Sequence, residues 1–170
     1  MFIFVKLTDK AMKRIAMFLA VMLMTVAALA QNNKRSIASL ENDENSFEVF
    51  AYDEDGARAY YLMMGKPEVL FVCLGSNVNE AAETLKGILA LYDAPIGDYK
   101  MYKGRKGSNL PEGQTYDVKG EVKKNASSKK VQLSFTLKGE GAGTASWMQK
   151  SDAKMLLKFL SSYQKRHPDR

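Results

Sequence analysis

From Val131 to Lys138, apolar and polar side chains alternate without a break: Val131, Leu133, Phe135 and Leu137 against Gln132, Ser134, Thr136 and Lys138. No other stretch restricts the fold so tightly. A side-chain period of two belongs to a β-strand with one face buried and the other solvated, the habit of antiparallel sheets. Upstream, Val118 and Val122 alternate with Lys119, Glu121 and Lys123. The polar stretch Asn125-Ala126-Ser127-Ser128 between the two runs turns the chain, so the pair reads as a hairpin.

The same punctuation organises the first half. Residues 47–52 are β-prone, and Asp53-Glu54-Asp55-Gly56 ends in the Asp-Gly pair that favours hairpins. Ala57–Met64 forms a second strand, Gly65-Lys66-Pro67 turns, and Glu68–Leu74 forms a third. That third run is apolar at nearly every position, which requires cover on both faces.

The period then lengthens. Asn77 and Glu80 have the spacing of a capping box, and Leu85, Ile88, Leu89 and Tyr92 share one helical face. Pro95 disfavours helical geometry in the residue before it, so the spacing predicts a helix over about 78–92. Residues 96–114 read as a loop, with glycines at 97, 104, 107 and 113, and a short strand at Tyr99–Tyr102. A further strand fits Gly143–Met148. A second helix starts at Ser151-Asp152, with Leu156, Phe159, Leu160 and Tyr163 on its apolar face and a frayed tail from Lys165 to Arg170.

The expected architecture is α+β: one antiparallel sheet of about five to seven strands with two helices packed on one face. The order is βββα-(β)βββα, a resemblance of pattern between two halves that share little residue identity. Residues 47–164 form the single domain, and the polar, aperiodic residues 31–46 are expected as a flexible lead-in.

Residues 1–30 stand apart. Lys13 and Arg14 precede an apolar run from Ile15 to Leu29, and Ala28-Leu29-Ala30 is the small-x-small pattern of a signal-peptidase site, with Gln31 following. The run is shorter than the roughly 20 residues a membrane span needs. Met12 opens a complete leader by itself, so residues 1–11 read as a mis-assigned start. The lone cysteine, Cys73, is far from the cut, which argues against a lipid anchor. A leader of this bacterial type directs the protein to the periplasm or the medium, with no membrane association of the mature form.

Charge and residue usage exclude much chemistry. The whole chain carries +6; removing Lys6, Lys10, Lys13, Arg14 and Asp9 with the leader leaves 21 bases against 18 acids, too weak an excess for nucleic acid. The one histidine, His167, lies by the C-terminus, where nothing is expected to hold it as a catalytic base. Zinc sites draw mainly on His and Cys, so no metal and no cofactor is expected. Asp53, Asp55 and Gly56 lack the length of a calcium loop. The glycines of Gly139–Gly143 do not join a strand directly to a helix, as a dinucleotide site requires. Cys73, inside an apolar run, reads as a small buried hydrophobe. Asn125-Ala126-Ser127 is a sequon, meaningful only in a glycosylating host.

What remains is a binding surface. Tyr99, Tyr102 and Trp147 could form an aromatic platform, and Arg105 and Lys106 a basic contact in the 96–114 loop. The expectation is a non-enzymatic exported module that binds a protein or glycan. The alternatives are a hydrolase working with carboxylates alone, drawn from Glu112, Asp117, Glu121 and Glu140, and an inhibitory or structural module.

Overall fold

A computed structural model describes residues 33–42, 45–54, 56–65, 69–107, 115–124, 131–138 and 145–167. The expected leader and cleavage site at residues 1–31, the turn expected at Asn125 and the Gly139–Gly143 run lie outside these residues.

Among these residues, eight strands form one sheet in chain order: β1 (Lys34–Glu41), β2 (Ser46–Glu54), β3 (Ala57–Met64), β4 (Val69–Gly75), β5 (Tyr99–Gly107), β6 (Tyr116–Lys124), β7 (Val131–Lys138) and β8 (Ala145–Met148). Helix α1 (Val78–Leu91) follows β4, and α2 (Lys150–Arg166) follows β8. Every pairing from β2 to β8 is antiparallel. The class is the α+β one that the alternation implies, with the order ββββα repeated. The first half has one strand more than the sequence pattern shows, β1; in the second half the first strand is the short one expected at Tyr99–Tyr102, extended to Gly107.

The presence of β1 and the length of β5 correct the sequence reading. Residues 34–41 are β1 and not part of a flexible lead-in; Ala38 is buried and Ile37 and Leu40 pack on the core. The strand hides because its remaining positions are polar. Likewise β5 runs through Gly104 to Gly107, a stretch whose glycines and basic residues read as loop. Gly104 is required there: a Cβ on it would stand 2.3 Å from the Phe71 carbonyl oxygen, because β4 and β5 approach closely.

Strand alternation sends every second residue toward the helices. Phe47, Val49 and Ala51 of β2, Tyr60, Leu62 and Met64 of β3, and Leu70, Val72 and Leu74 of β4 form one core with Val118, Val122 and Phe135. Onto it α1 places Ala81, Leu85 and Ile88, and α2 places Ala153, Leu156, Leu160 and Tyr163. Each fully buried Leu or Ile contributes about 1.5–3 kcal/mol. Phe159 is a second correction. It is exposed, since the 153-156-160-163 row sets the buried stripe and position 159 falls beside it.

The caps differ in detail. Asn77 Oδ1 accepts from the Glu80 backbone N–H at 2.9 Å, as its spacing suggests. The Glu80 carboxylate reaches one residue further back, to the Ser76 N–H at 2.7 Å, which holds its pKa below the ordinary value. At α2 the N-cap is Gln149, not Ser151; Asp152 accepts from the Gln149 backbone N–H at 3.1 Å. Asn45, in the β1–β2 turn, donates to the Trp147 carbonyl at 3.0 Å, so the sheet curls until its two ends meet.

Candidate functional site

The sheet has a second face, opposite the helices, and it divides into two halves. On β2–β4 most residues between the core positions are apolar: Phe50, Tyr52, Tyr61 and Phe71 are buried, with Met63, Val69 and Cys73 packed beside them. Phe50 stacks on Tyr61 and meets Phe71 edge-on, with ring centroids 5.8 and 6.0 Å apart. On β5–β8 the same face is mixed, and here the sequence candidates gather.

Registers fix the neighbours. Tyr99 lies opposite Glu121, Glu121 opposite Ser134, and Ser134 opposite Trp147, making one row across four strands. Three interstrand gaps separate its aromatic ends by about 14 Å. The next row is Met101, Lys119, Thr136 and Ala145. Tyr99 is 60% exposed and Met101 41%, and Ile96 just before β5 is 62% exposed. These are three of the five large apolar side chains exposed among the described residues, and they occupy six consecutive positions.

Charges surround the aromatics in compensated pairs. Lys119 Nζ sits 4.6 Å above the Tyr99 ring, within the range of a cation–π contact. Its ammonium also lies 3.0 Å from Glu121, which Lys123 approaches at 3.1 Å. Hydrogen bonds from Lys119 and then Lys123 lower the Glu121 pKa below its ordinary value. Lys103 pairs with Asp117 at 2.6 Å.

Of the sequence candidates, Tyr99, Arg105 and Trp147 share this face. Arg105 pairs across to Phe71 at the boundary with the aromatic half. Lys106 continues β5 opposite Leu70. Tyr102 turns the other way: it is buried against Phe135, and desolvation raises its pKa well above that of a free tyrosine. Tyr99 and Trp147 thus share this face at the two ends of one row, and Tyr102 does not. Sequence reasoning missed Met101, Lys119 and the paired Glu121 as its neighbours; the signal was their parity, legible only once β5 is known to pair with β6.

Other candidates fall elsewhere. Cys73 is partly covered, and burial raises its thiol pKa, the opposite of a reactive cysteine. Asp53 holds Arg58 through two oxygens at 2.7 and 3.0 Å, so that carboxylate is engaged by a guanidinium. His167 is held better than a frayed tail suggests: its ring packs 4.6 Å from that of Tyr163, whose hydroxyl accepts from Arg35 at 3.5 Å. Asp117 and Glu121, on one face of β6, are about 13 Å apart along the strand, and each is paired with lysine. Glu112 and Glu140 lie outside the described residues.

Among the described residues there is no group of three His, Cys, Asp or Glu side chains placed to hold a metal ion. Within the same residues, no helix is long and apolar enough to cross a membrane. No protein-family profile matches the chain, and no curated protein sequence does.

Proposed function

We propose that the chain is a non-enzymatic exported binding module that recognises a protein partner through the β5–β8 half of the sheet face opposite α1 and α2, in the periplasm or outside the cell. The carrying observation is the gathering of Ile96, Tyr99 and Met101, all exposed, on and beside a strand whose row ends at Trp147. Exposed apolar clusters of this sort favour partner contacts. Tyr, Trp and Arg supply most binding energy at such surfaces, because large side chains bury much area at small entropic cost. Paired charges at Lys103–Asp117 and Lys119–Glu121–Lys123 would form the polar surround. The separation of Asp117 from Glu121, with both neutralised by lysine, supports the reading against a carboxylate hydrolase, which needs two carboxyls about 5–10 Å apart.

A glycan is the second reading, favoured by Tyr99 and Trp147 flanking the polar strip of Glu121 and Ser134. Crosslinking in the native envelope, with a photoreactive group at position 101, separates the two. A discrete protein adduct supports the first. Adducts absent there, with retention on envelope polysaccharide that Tyr99→Ala abolishes, support the second.

A further inference from the structure

The charges beside the exposed apolar side chains of β5 do not balance. On β6, Lys119, Glu121 and Lys123 share one face, at alternate positions around the buried Gly120 and Val122. Both ammoniums converge on the one carboxylate, at 3.0 and 3.1 Å. The pair next along the strand, Lys103–Asp117, adds one charge of each sign. Three lysines thus stand against two acids.

The two lysines on Glu121 are not equivalent. Lys119 is committed twice, to Glu121 and to the Tyr99 ring 4.6 Å away. Lys123 is committed once: among the described residues its one ion pair is with Glu121, and 43% of its side-chain surface stays exposed. Glu121 lies directly opposite Tyr99, so this spare cation stands two positions from the exposed aromatic.

We infer that the protein partner presents an acidic and apolar segment, a carboxylate pairing with Lys123 while apolar side chains cover Ile96, Tyr99 and Met101. The inference rests on recognition by the β5–β8 face, the proposed function, and adds the chemistry of what is recognised.

Three partner chemistries differ in what they do to this charge pattern. A purely apolar surface would take from water an ammonium that has only a shared carboxylate in return, and burying an under-paired charge is costly. A basic segment would bring a third cation to the same carboxylate, and like charges facing across an interface are penalised. A carboxylate gives each lysine an acid of its own, and the apolar side chains around it exclude water, which strengthens the attraction. Glu121 competes with that incoming carboxylate for both ammoniums. Its removal therefore frees two cations for the partner.

The probe is a hexapeptide of alternating Glu and Leu, compared with a Lys/Leu hexapeptide and with an oligogalacturonate of equal charge. Each is titrated into the isotope-labelled protein and followed by amide chemical shifts. The Glu/Leu peptide should perturb residues 96–101 and 119–123 and bind at least about fivefold tighter than the Lys/Leu peptide. Raising salt from about 0.05 to 0.5 M should weaken it severalfold, since the contact is between exposed charges. Lys123→Glu should weaken it at least about tenfold, and Glu121→Gln should tighten it about threefold or more. Thermal melts confirm that the variants fold, and Lys123→Gln, expected to weaken binding about threefold or more, replaces a Lys123→Glu that does not. Equal or tighter binding of the Lys/Leu peptide, no perturbation of this face by either peptide, preference for the oligogalacturonate, or no gain with Glu121→Gln overturns the inference. The proposed function fails separately: if Tyr99→Ala still abolishes capture of a protein from the native envelope, only the acidic chemistry is lost, and if it leaves capture intact, both are lost.

Discussion

Gly104 and Phe71 meet across β5 and β4 so closely that the glycine's missing side chain is part of the fold. A Cβ there would lie 2.3 Å from the Phe71 carbonyl oxygen and 2.5 Å from Val118 Cγ2. Neither can yield cheaply, since one is ladder backbone and the other is core. Gly104→Ala should cost about 2–3 kcal/mol, read as a lower urea midpoint with unchanged slope. A loss below about 0.5 kcal/mol, the scale of an ordinary surface change, would contradict the close approach of the two strands.

The same pair shows where the sequence was hard to read. Gly104 and Gly107 inside Lys103–Gly107 look like loop punctuation, because glycine marks both turns and close strand approach. Only the opposite strand tells them apart. In β7 and α1 the periodicity was legible: Phe135 is buried as the alternation requires, and Leu85 and Ile88 lie on the core. β1 was illegible because its apolar residues, Ile37, Ala38 and Leu40, do not alternate with polar ones at a period of two. The candidate site was half legible. Tyr99 and Trp147 could be named, but that they share a row needs the registers of three strand pairs.

Tyr102 presents a buried hydroxyl without a hydrogen-bond partner. Leaving such a group unpaired costs stability, so removing it costs nothing. Tyr102→Phe should leave stability unchanged or raise it by up to about 1 kcal/mol, and should not affect partner capture. A loss of more than about 1 kcal/mol in chemical denaturation would show that the hydroxyl is satisfied.

Acid should act on the β6 surface through Glu121. Its folded pKa lies below the ordinary 4.5, because Lys119 and then Lys123 donate to the carboxylate. The stabilisation is thus present above that ordinary value and is lost as pH falls through the lower folded one. Asp152 runs oppositely: burial raises its pKa above 3.8, so its contribution is present in acid and fades as pH rises through the folded value. Comparing wild type with Glu121→Gln isolates the first. The difference should be under about 1 kcal/mol at neutral pH, as for exposed pairs, and should vanish in acid. A gap that persists at pH 2–3 would contradict the assignment.

The central claim is recognition through the β5–β8 side of the face opposite α1 and α2, and paired variants test it most directly. Exported wild type, Tyr99→Ala, Trp147→Ala and Met155→Ala are each used to capture partners from the native envelope, with thermal melts confirming folding. Met155, exposed on α2 away from this face, is the control. The account predicts that a partner held by wild type and by Met155→Ala is lost at least about tenfold with either aromatic variant, the effect of a buried interfacial anchor. Equal capture by all four proteins, or loss with Met155→Ala alone, would place recognition elsewhere and contradict the account.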